Sequence, residues 1–578
     1  MNLTFSDLKK WARKSFDDAP CTRVALLGDS ATQFLATGIK GCAASRGIAM
    51  ELFEADYNQV ERQLLDPSSE LYQFAPQYVV IFQSTHKFAE RHALLAPEQR
   101  AALADERLDF LASVCQSQQL AAAKIIYFNY PEDEDTVYGS YQNKVSSSLI
   151  FQLRYLNYKL MTLSQQYPNL FICDLASLQA RVGRDFAYTP NVYVSSDMLL
   201  SLKFVPLVAA RVVDIIGATL GRFKKCVILD LDNTLWGGVI GDDGIEGIQL
   251  GHGMGIGKAF SEFQMWIKKL RQRGIIVCVS SKNDEATARE PFVSHPDMIL
   301  RLDDIAVFQA NWETKVDNIR TIQQILNIGF DSMVFIDDNP FERHIVKEHI
   351  PEITVPDLPE DPADYLEYLY TLNLFETASD SSADKDRTRQ YQIEAQRVTF
   401  KKTFANEDDF LQSLQMVSRV EGFTPFNTPR VSQLSQRSNQ FNLRTVRYTE
   451  SDITSLATDP DVIDLSFTLV DKFGDNGLIA VVVMRPLDTD TLFVDTWLMS
   501  CRVLKRGMER FTLNVMVDVA RGKGYKRLVG EYIPTAKNKM VSDHYSSLGF
   551  KAIEGCDSKQ YELDIQHYQP LKNFITRQ

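Results

Sequence analysis

The chain has 578 residues, too many for one hydrophobic core and enough for three or four domains at about 150 residues each. Its 45% hydrophobic and 24% charged residues are those of a soluble globular protein, and no apolar run approaches the ~18 residues that cross a bilayer, so no membrane span is expected. A formal net charge of −13 argues against general nucleic-acid binding, which needs a basic footprint. The start, Met1-Asn2-Leu3-Thr4-Phe5, has no basic segment followed by an apolar core, and the eight cysteines show no Cys-x-x-Cys spacing. Both features predict a cytoplasmic protein with reduced thiols rather than a disulfide frame or zinc site.

Residues 24–217 alternate apolar runs with helical periodicity, which predicts a doubly wound α/β domain over 1–219. Val24-Ala25-Leu26-Leu27, Tyr78-Val79-Val80-Ile81-Phe82, Lys124-Ile125-Ile126-Tyr127-Phe128 and Leu170-Phe171-Ile172-Cys173 read as four parallel strands. The first ends in Gly28-Asp29-Ser30, where Gly28 permits a tight turn and Ser30 opens a helix. This block resembles SGNH hydrolases, in which the serine is the nucleophile; the resemblance makes Asn129 an oxyanion-hole donor. Those enzymes carry Asp-x-x-His near the domain end, whereas Ser196-Asp197-Met198-Leu199-Leu200 offers Asp197 and no histidine. Serine without a base is a weak nucleophile, so the expectation is a degenerate SGNH-like domain that docks partners or binds ligands.

A second α/β domain is predicted over 220–360. Val227-Ile228-Leu229-Asp230-Leu231-Asp232-Asn233-Thr234 is a buried parallel strand ending in two carboxylates one residue apart. Strand carboxyl ends are where open α/β sheets place ligands. Of such a pair, one acid can attack phosphorus and the other can move protons. Gly274–Asn283 is a strand ending in hydroxyls, a lysine and an amide, and Ser281 can donate to a phosphate oxygen. Lys315, ahead of the helical pattern Ile319, Ile322, Ile325, Leu326, can offset phosphate charge. Met333-Val334-Phe335-Ile336-Asp337-Asp338 closes another apolar strand on two acids. Carboxylates brought that close repel unless a cation lies between them, and oxygen-only ligands suit Mg²⁺.

The set resembles the haloacid dehalogenase (HAD) phosphotransferase superfamily. Asp230 matches its nucleophile, Asp232 its general acid/base, Ser281 the motif-two hydroxyl, Lys315 the motif-three lysine and Asp338 the late metal ligand. The runs Trp236-Gly237-Gly238-Val239-Ile240-Gly241-Asp242-Asp243-Gly244 and Asp337-Asp338-Asn339-Pro340-Phe341-Glu342-Arg343 look like FkbH-like proteins of subfamily IIIC. That likeness runs from roughly 220 to about 555 and includes Asn439-Gln440-Phe441-Asn442-Leu443. It implies Mg²⁺ held by Asp230, the Asp232 backbone carbonyl and Asp338. Residues 236–247 are expected to form a small flap.

Pro351, Pro356, Pro359 and Pro362 mark a boundary, and 361–418 reads as a helical linker region, with 387–400 and 407–418 helical. A GNAT-like α+β domain follows over 419–578. Its run Met499-Ser500-Cys501-Arg502-Val503-Leu504-Lys505-Arg506-Gly507 leaves a strand and opens a helix, whose N–H groups can cradle phosphate. The order resembles GNAT acyltransferases, with the phosphate loop Arg/Gln-x-x-Gly-x-Gly/Ala. Arg502, Gly507, Asn538 and Tyr545 fit that pattern, while Lys505 stands in place of the first glycine. Coenzyme A or a phosphopantetheine arm is the implied ligand. Cys501, beside Arg502 at a helix start, favours thiolate and can hold a thioester; a buried structural cysteine is the other reading. Cys278 reads as core, and Ser280 replaces the cysteine that FkbH-like proteins often carry at motif two.

The resemblance implies a Mg²⁺-dependent enzyme that dephosphorylates a phosphorylated three-carbon acid such as bisphosphoglycerate. The glyceryl group would pass to the thiol of an acyl carrier protein in polyketide-type biosynthesis. Arg502, Lys505 and Arg506, or Arg222, Lys224 and Lys225, would offer basic contacts to an acidic carrier. Two readings stay open beside it: a HAD phosphatase on another small phosphate ester in secondary metabolism or surface-glycan synthesis, and a non-catalytic scaffold.

Overall fold

The computed structural model describes residues 3–16, 21–379, 387–401, 403–500, 503–535, 537–553 and 559–578. The chain forms two compact units, Met1–Gly217 and Ala218–Gln578. No described helix is long and apolar enough to cross a membrane.

In the first unit, strands β1 (Thr22–Gly28), β2 (Met50–Glu54), β3 (Tyr78–Phe82), β4 (Lys124–Phe128) and β5 (Leu170–Cys173) form one parallel sheet in the order β2-β1-β3-β4-β5. Ala25, Leu27, Val79, Ile81, Ile125 and Tyr127 pack on helices Leu103–Gln116 and Leu149–Gln166. Val24, Leu26, Val80 and Ile126 on the other face are equally buried, which is why these strands read as continuous apolar runs. Strand β2 was not among the four predicted from sequence. It is an edge strand, and the two glutamates of Met50-Glu51-Leu52-Phe53-Glu54 break the apolar run. The chain reverses direction across the sheet between β1 and β3, so their carboxyl ends flank a crevice. Gly28-Asp29-Ser30 opens there, with Asp29 Oδ2 accepting the Ser84 N–H at 2.8 Å. Burial pushes the Asp29 carboxyl up to about 6, although the Ser84 N–H favours its charged form.

The second unit starts with strands β6 (Cys226–Leu229), β7 (Ile276–Ser281), β8 (Val307–Ala310) and β9 (Met333–Ile336), all parallel, in the order β8-β7-β6-β9. Alternate residues fill two cores: Val227, Leu229, Val277 and Val279 on one face, Cys226, Ile228, Ile276 and Cys278 on the other. Cys278 is therefore a core residue, 3.9 Å from Cys226 Sγ. Gly237 and Gln249 exchange backbone hydrogen bonds of 3.1 and 2.8 Å, closing a short excursion that holds helix Ile240–Gly247.

The rest of this unit is a mixed sheet of β10 (Met416–Ser418), β11 (Val420–Glu421), β12 (Ile463–Asp471), β13 (Gly474–Pro486), β14 (Thr491–Met499), β15 (Arg527–Tyr532), β16 (Lys551–Ala552), β17 (Lys559–Asp564) and β18 (Ile575–Arg577). Its order is β16-β17-β15-β14-β13-β12-β10-β18, with β11 on β12. The helix predicted over 407–418 ends at Ser413; Gln415 turns left-handed and Met416–Ser418 becomes β10. Pairing of β10 with both β12 and β18 overrides the local helical pattern. Strands β14 and β15 pair in parallel from Thr491/Arg527 to Val494/Gly530. Beyond that, residues 441–443 lie between them. Met499 N donates to Phe441 O at 3.0 Å, Leu443 N to Trp497 O at 3.3 Å, and Ile533 N to Leu443 O at 2.9 Å.

Helix Arg387–Lys401 is tied to this sheet by buried charges. Arg397 meets Asp471 at 2.8 Å and Glu394 at 3.0 Å; Arg506 meets Asp471 at 3.2 Å and also bonds Glu394. Arg506 is therefore buried within the unit, and the surface contact expected of it is not formed. Asp471→Ala leaves both arginines facing a lost carboxylate and should lower unfolding free energy by about 3 kcal/mol, measured by denaturant titration. A change under about 1 kcal/mol would show that water replaces Asp471 without loss.

Asp29 gives a pH prediction. Its folded pKa of about 6 lies above the ordinary 3.8, so the folded chain holds a proton that the unfolded chain has released. That stabilisation is present below about 4 and lost as pH rises through 6. Asp29→Asn keeps an acceptor for Ser84 and should flatten the fall of Tm between pH 4 and 7; an unchanged slope would refute the assignment.

Candidate active site

Strands β6 and β9 are neighbours at the point where the sheet order reverses, so Asp230, Asp337 and Asp338 emerge side by side. The Asp230 N–H donates to Ile336 O at 3.0 Å and locks the two strand ends together. One carboxylate oxygen from each of the three acids lies within 4.8 Å of the others. Lys315 begins helix Lys315–Leu326, which Thr314 caps by accepting the Asp317 N–H. Its ammonium is 2% exposed, 2.5 Å from Asp230 Oδ1 and 3.4 Å from Asp337 Oδ2, and donates to Ser280 O at 2.7 Å. Burial works against this charge, but Asp230 and Asp337 outweigh it and hold the lysine pKa above its ordinary value. Burial, then the Asp230 charge, push Asp337 up to about 7; the same two causes raise Asp338.

Three acids against one ammonium leave negative charge in excess. Asp337 Oδ2 is buried and has no hydrogen bond beyond its 3.4 Å ion pair with Lys315. An all-oxygen cluster with an unsatisfied buried carboxylate fits a hard divalent cation such as Mg²⁺.

Asp232 points elsewhere. Its Oδ1 accepts from Trp236 Nε1 at 2.9 Å and from the Ile240 N–H at 3.0 Å, and its Oδ2 from Asn283 Nδ2 at 2.8 Å. Its carboxylate thus stands apart from the three-acid cluster, held rigidly by the flap and the end of β7. Asn233, left-handed at φ 52°, turns the chain directly after Asp232. Ser281 is buried at the end of β7, where its Oγ accepts from Asn283 Nδ2 at 3.0 Å. All four motifs therefore converge at one end of the sheet.

Sequence reasoning missed part of this site. The Asp337 carboxylate joins the cluster. Thr234 Oγ1 donates to Asp338 Oδ1 at 3.3 Å and accepts the Asp338 N–H at 3.1 Å. Arg343 Nη1 donates to the carbonyls of Asp337 and Asp338 at 2.8 and 2.6 Å, fixing the turn after β9. Each lies within the motif runs, but only the folded turns reveal which atoms they engage.

In the first unit, Ser30 is 1% exposed and its Oγ has no hydrogen-bond partner. Asn129 is committed to the neighbouring turn, donating to Asp174 Oδ1 at 2.7 Å and accepting the Ala176 N–H at 3.0 Å. Asp197 is left-handed; its carbonyl accepts the Ala31 N–H at 3.1 Å and its carboxylate takes the Tyr57 hydroxyl. A histidine does reach this neighbourhood, from helix Thr85–Leu94: His86, packed on Tyr188 and Tyr193. Burial lowers its pKa against the pull of Asp133 and Asp197.

In the C-terminal sheet, Cys501 and Arg502 lie outside the described residues. Gly507, at φ 80°, precedes helix Met508–Gly522, and Lys505 adopts a glycine-like φ of 63°. Asn538 is buried; its Nδ2 donates to Asn442 O at 3.0 Å and Ile533 O at 2.9 Å, so it fastens segment 441–443 between β14 and β15. Tyr545 is buried against Tyr561, with its hydroxyl unpartnered and its pKa raised by burial. Gly530 leaves room for that ring, since a Cβ there would come within 2.2 Å of it.

A model of the FkbH N-terminal domain family matches residues 23–217. The crystal structure of the N-terminal part of protein BF1531 from Bacteroides fragilis, containing a phosphatase domain complexed with Mg, is 60% identical. It covers 65% of this chain and is itself covered completely, with a TM-score of 0.64. Weaker similarity extends to the GNAT domain of S. lividans PAT (19% identity, 25% of this chain, 89% of that one, TM-score 0.21) and to the Escherichia coli ribosomal-protein-S18-alanine N-acetyltransferase (17%, 26%, 94%, 0.20). No curated protein matches the chain. Because the Bacteroides phosphatase part is matched over its whole length and the preceding domain fits the FkbH model, the chain belongs to the FkbH-like family of HAD-type proteins.

Proposed function

We propose that this chain is a Mg²⁺-dependent phosphatase that acts on a phosphorylated three-carbon acid such as bisphosphoglycerate and passes the glyceryl group to the thiol of an acyl carrier protein. The observation that carries the phosphatase reading is Lys315, buried 2.5 Å from Asp230 inside a three-carboxylate cluster. The Mg in the Bacteroides relative supports the same metal here. Asp230, Asp338 and Asp337 would hold it, and it would supply charge neutralisation for the phosphoryl group.

Asp230, its charge held by Lys315, attacks phosphorus, and the bond from phosphorus to the substrate oxygen breaks. Asp232, fixed by Trp236, Ile240 and Asn283, gives its proton to the departing oxygen. It then takes a proton from the water that cleaves the phospho-aspartate and frees Asp230. Ser281, with its Oγ beside Asn283, is placed to donate to a phosphoryl oxygen. For an acyl phosphate, a thiolate attacks the acyl carbon; the carbon–sulfur bond forms and phosphate leaves. Cys501 is the candidate thiol on this chain, and the phosphopantetheine thiol of the carrier is the final acceptor.

Intact-protein mass spectrometry with Mg²⁺, bisphosphoglycerate and holo acyl carrier proteins tests this reading. A glyceryl mass should appear on the carrier. Asp230→Asn should cut phosphate release about a thousandfold or more. Cys501→Ala should abolish transfer; transfer that survives it would rule out that thiol, and phosphate release with no acyl adduct would leave a plain phosphatase. Lys315→Gln removes the ammonium between two carboxylates. In metal-free protein it should lower Tm, with Mg²⁺ restoring more stability than it adds to the parent chain. Equal Mg²⁺ effects on both proteins would separate Lys315 from the metal cluster.

A further inference from the structure

The strand ends of the phosphatase sheet carry a second ion pair besides those of Lys315. Lys282 Nζ lies 2.5 Å from Glu342 Oε1. Lys282 follows the last residue of β7, and Glu342 is the third residue of helix Pro340–His349, which leaves the end of β9. Strand β6 lies between β7 and β9, so this pair spans the end of β6 where Asp230 emerges. Side chains alternate along a strand. Cys226, Ile228, Cys278 and Phe335 face one core, packed with Ile319 of the Lys315 helix and Val346 of the Glu342 helix. Continuing that alternation past the strand ends puts Asp230, Lys282 and Asp337 on the same side of the sheet.

The pair is asymmetric. The Glu342 side chain is 11% exposed and lies in the first turn of a ten-residue helix, whose N-terminal N–H groups favour a carboxylate. The Lys282 side chain is 42% exposed. Glu342 therefore keeps a favourable setting when the ammonium leaves, and a partly exposed ion pair holds its lysine weakly. Two further cations at this end of the sheet are committed. Lys315 is buried against Asp230, Asp337 and the Ser280 carbonyl, and Arg343 Nη1 donates to the carbonyls of Asp337 and Asp338. The carboxylate cluster with its Mg²⁺ would take the reacting phosphoryl group. A second anionic group on the same substrate would meet the acids at these strand ends and be repelled unless a cation received it.

We propose that Lys282 is a substrate-binding residue, whose ammonium leaves Glu342 to pair with a second anionic group on the phosphate ester. It thereby selects doubly anionic substrates over simple monoesters, and Glu342 holds the lysine in place until such a substrate arrives. This role rests on the phosphatase reading of the carboxylate cluster and names the substrate class of that site.

Phosphate release by the full chain with Mg²⁺, measured on 3-phosphoglycerate and on glycerol 3-phosphate, tests it; the second ester has an alcohol where the first has a carboxylate. The parent chain should favour 3-phosphoglycerate in kcat/KM by about tenfold or more. Lys282→Gln should lower kcat/KM for 3-phosphoglycerate about tenfold more than for glycerol 3-phosphate, with the loss in KM rather than kcat. Lys282→Arg should recover most of it, and Glu342→Gln, which removes the competing carboxylate, should lower KM for 3-phosphoglycerate. No preference in the parent chain, or equal losses on both esters in Lys282→Gln, would overturn the proposal. Hydrolysis of neither ester would sink the phosphatase reading instead. Calorimetry of the Mg²⁺-loaded chain then decides the role of Lys282. Tighter binding of 3-phosphoglycerate than of glycerol 3-phosphate, lost in Lys282→Gln, would sustain it, and equal or absent binding would overturn it.

Discussion

A buried ammonium set among carboxylates organises the phosphatase part of this chain. Lys315 is almost fully removed from water, and desolvating such a charge costs several kcal/mol. Asp230, Asp337 and the Ser280 carbonyl offset that cost from three different strand ends. The same contacts hold the two acids together against their mutual repulsion. The helix that begins at Lys315, the end of β7 and the β6–β9 pair are thereby fixed to one another around the carboxylate cluster.

Two parallel sheets in the chain use the same topological device with different residues. In each, the strand order reverses beside the first strand, and the chain leaves that strand through a tight polar turn. In the phosphatase sheet the crevice collects three carboxylates and a lysine. In the N-terminal sheet it collects a buried aspartate and a buried serine, while His86 on another helix packs on Tyr188 and Tyr193. Of these, Asp29 accepts the Ser84 N–H while Ser30 Oγ has no hydrogen-bond partner, and Asn129 is committed to a neighbouring helix start.

The C-terminal sheet is built around a separation between parallel strands. Segment 441–443 fills that gap through backbone hydrogen bonds, and Asn538 fastens it. Phe441, in the same segment, also lines a cavity with Lys225, Ile276 and Met499, so the residues that fill the gap also shape its wall. Arg506 shows the related economy of buried charge: Asp471 and Glu394 hold it inside the fold, where its neighbours in sequence suggested a surface role.

The sequence by itself determined where the polar residues of the candidate site fall, because that pattern is local. Asp230, Asp232, Ser281 and Asp338 each close or follow an apolar run, and a parallel strand buried on both faces delivers its last polar residues to one edge whatever the remaining fold; Lys315 instead opens a helix. Strands β3, β4, β5 and β9 were legible for the same reason. Tertiary structure decided what depends on partners distant in sequence. Strand β2 exists because β1 pairs with it, and β10 because β12 and β18 do. The Asp337 carboxylate joins the cluster while that of Asp232 turns to Trp236, Ile240 and Asn283, a division set by which donors the fold brings within reach. The cavity lined by Lys225, Phe441 and Met499 could not be read from the chain at all. Its lining comes from residues as far apart in sequence as 225, 331, 391, 441 and 537, and only the fold brings them together.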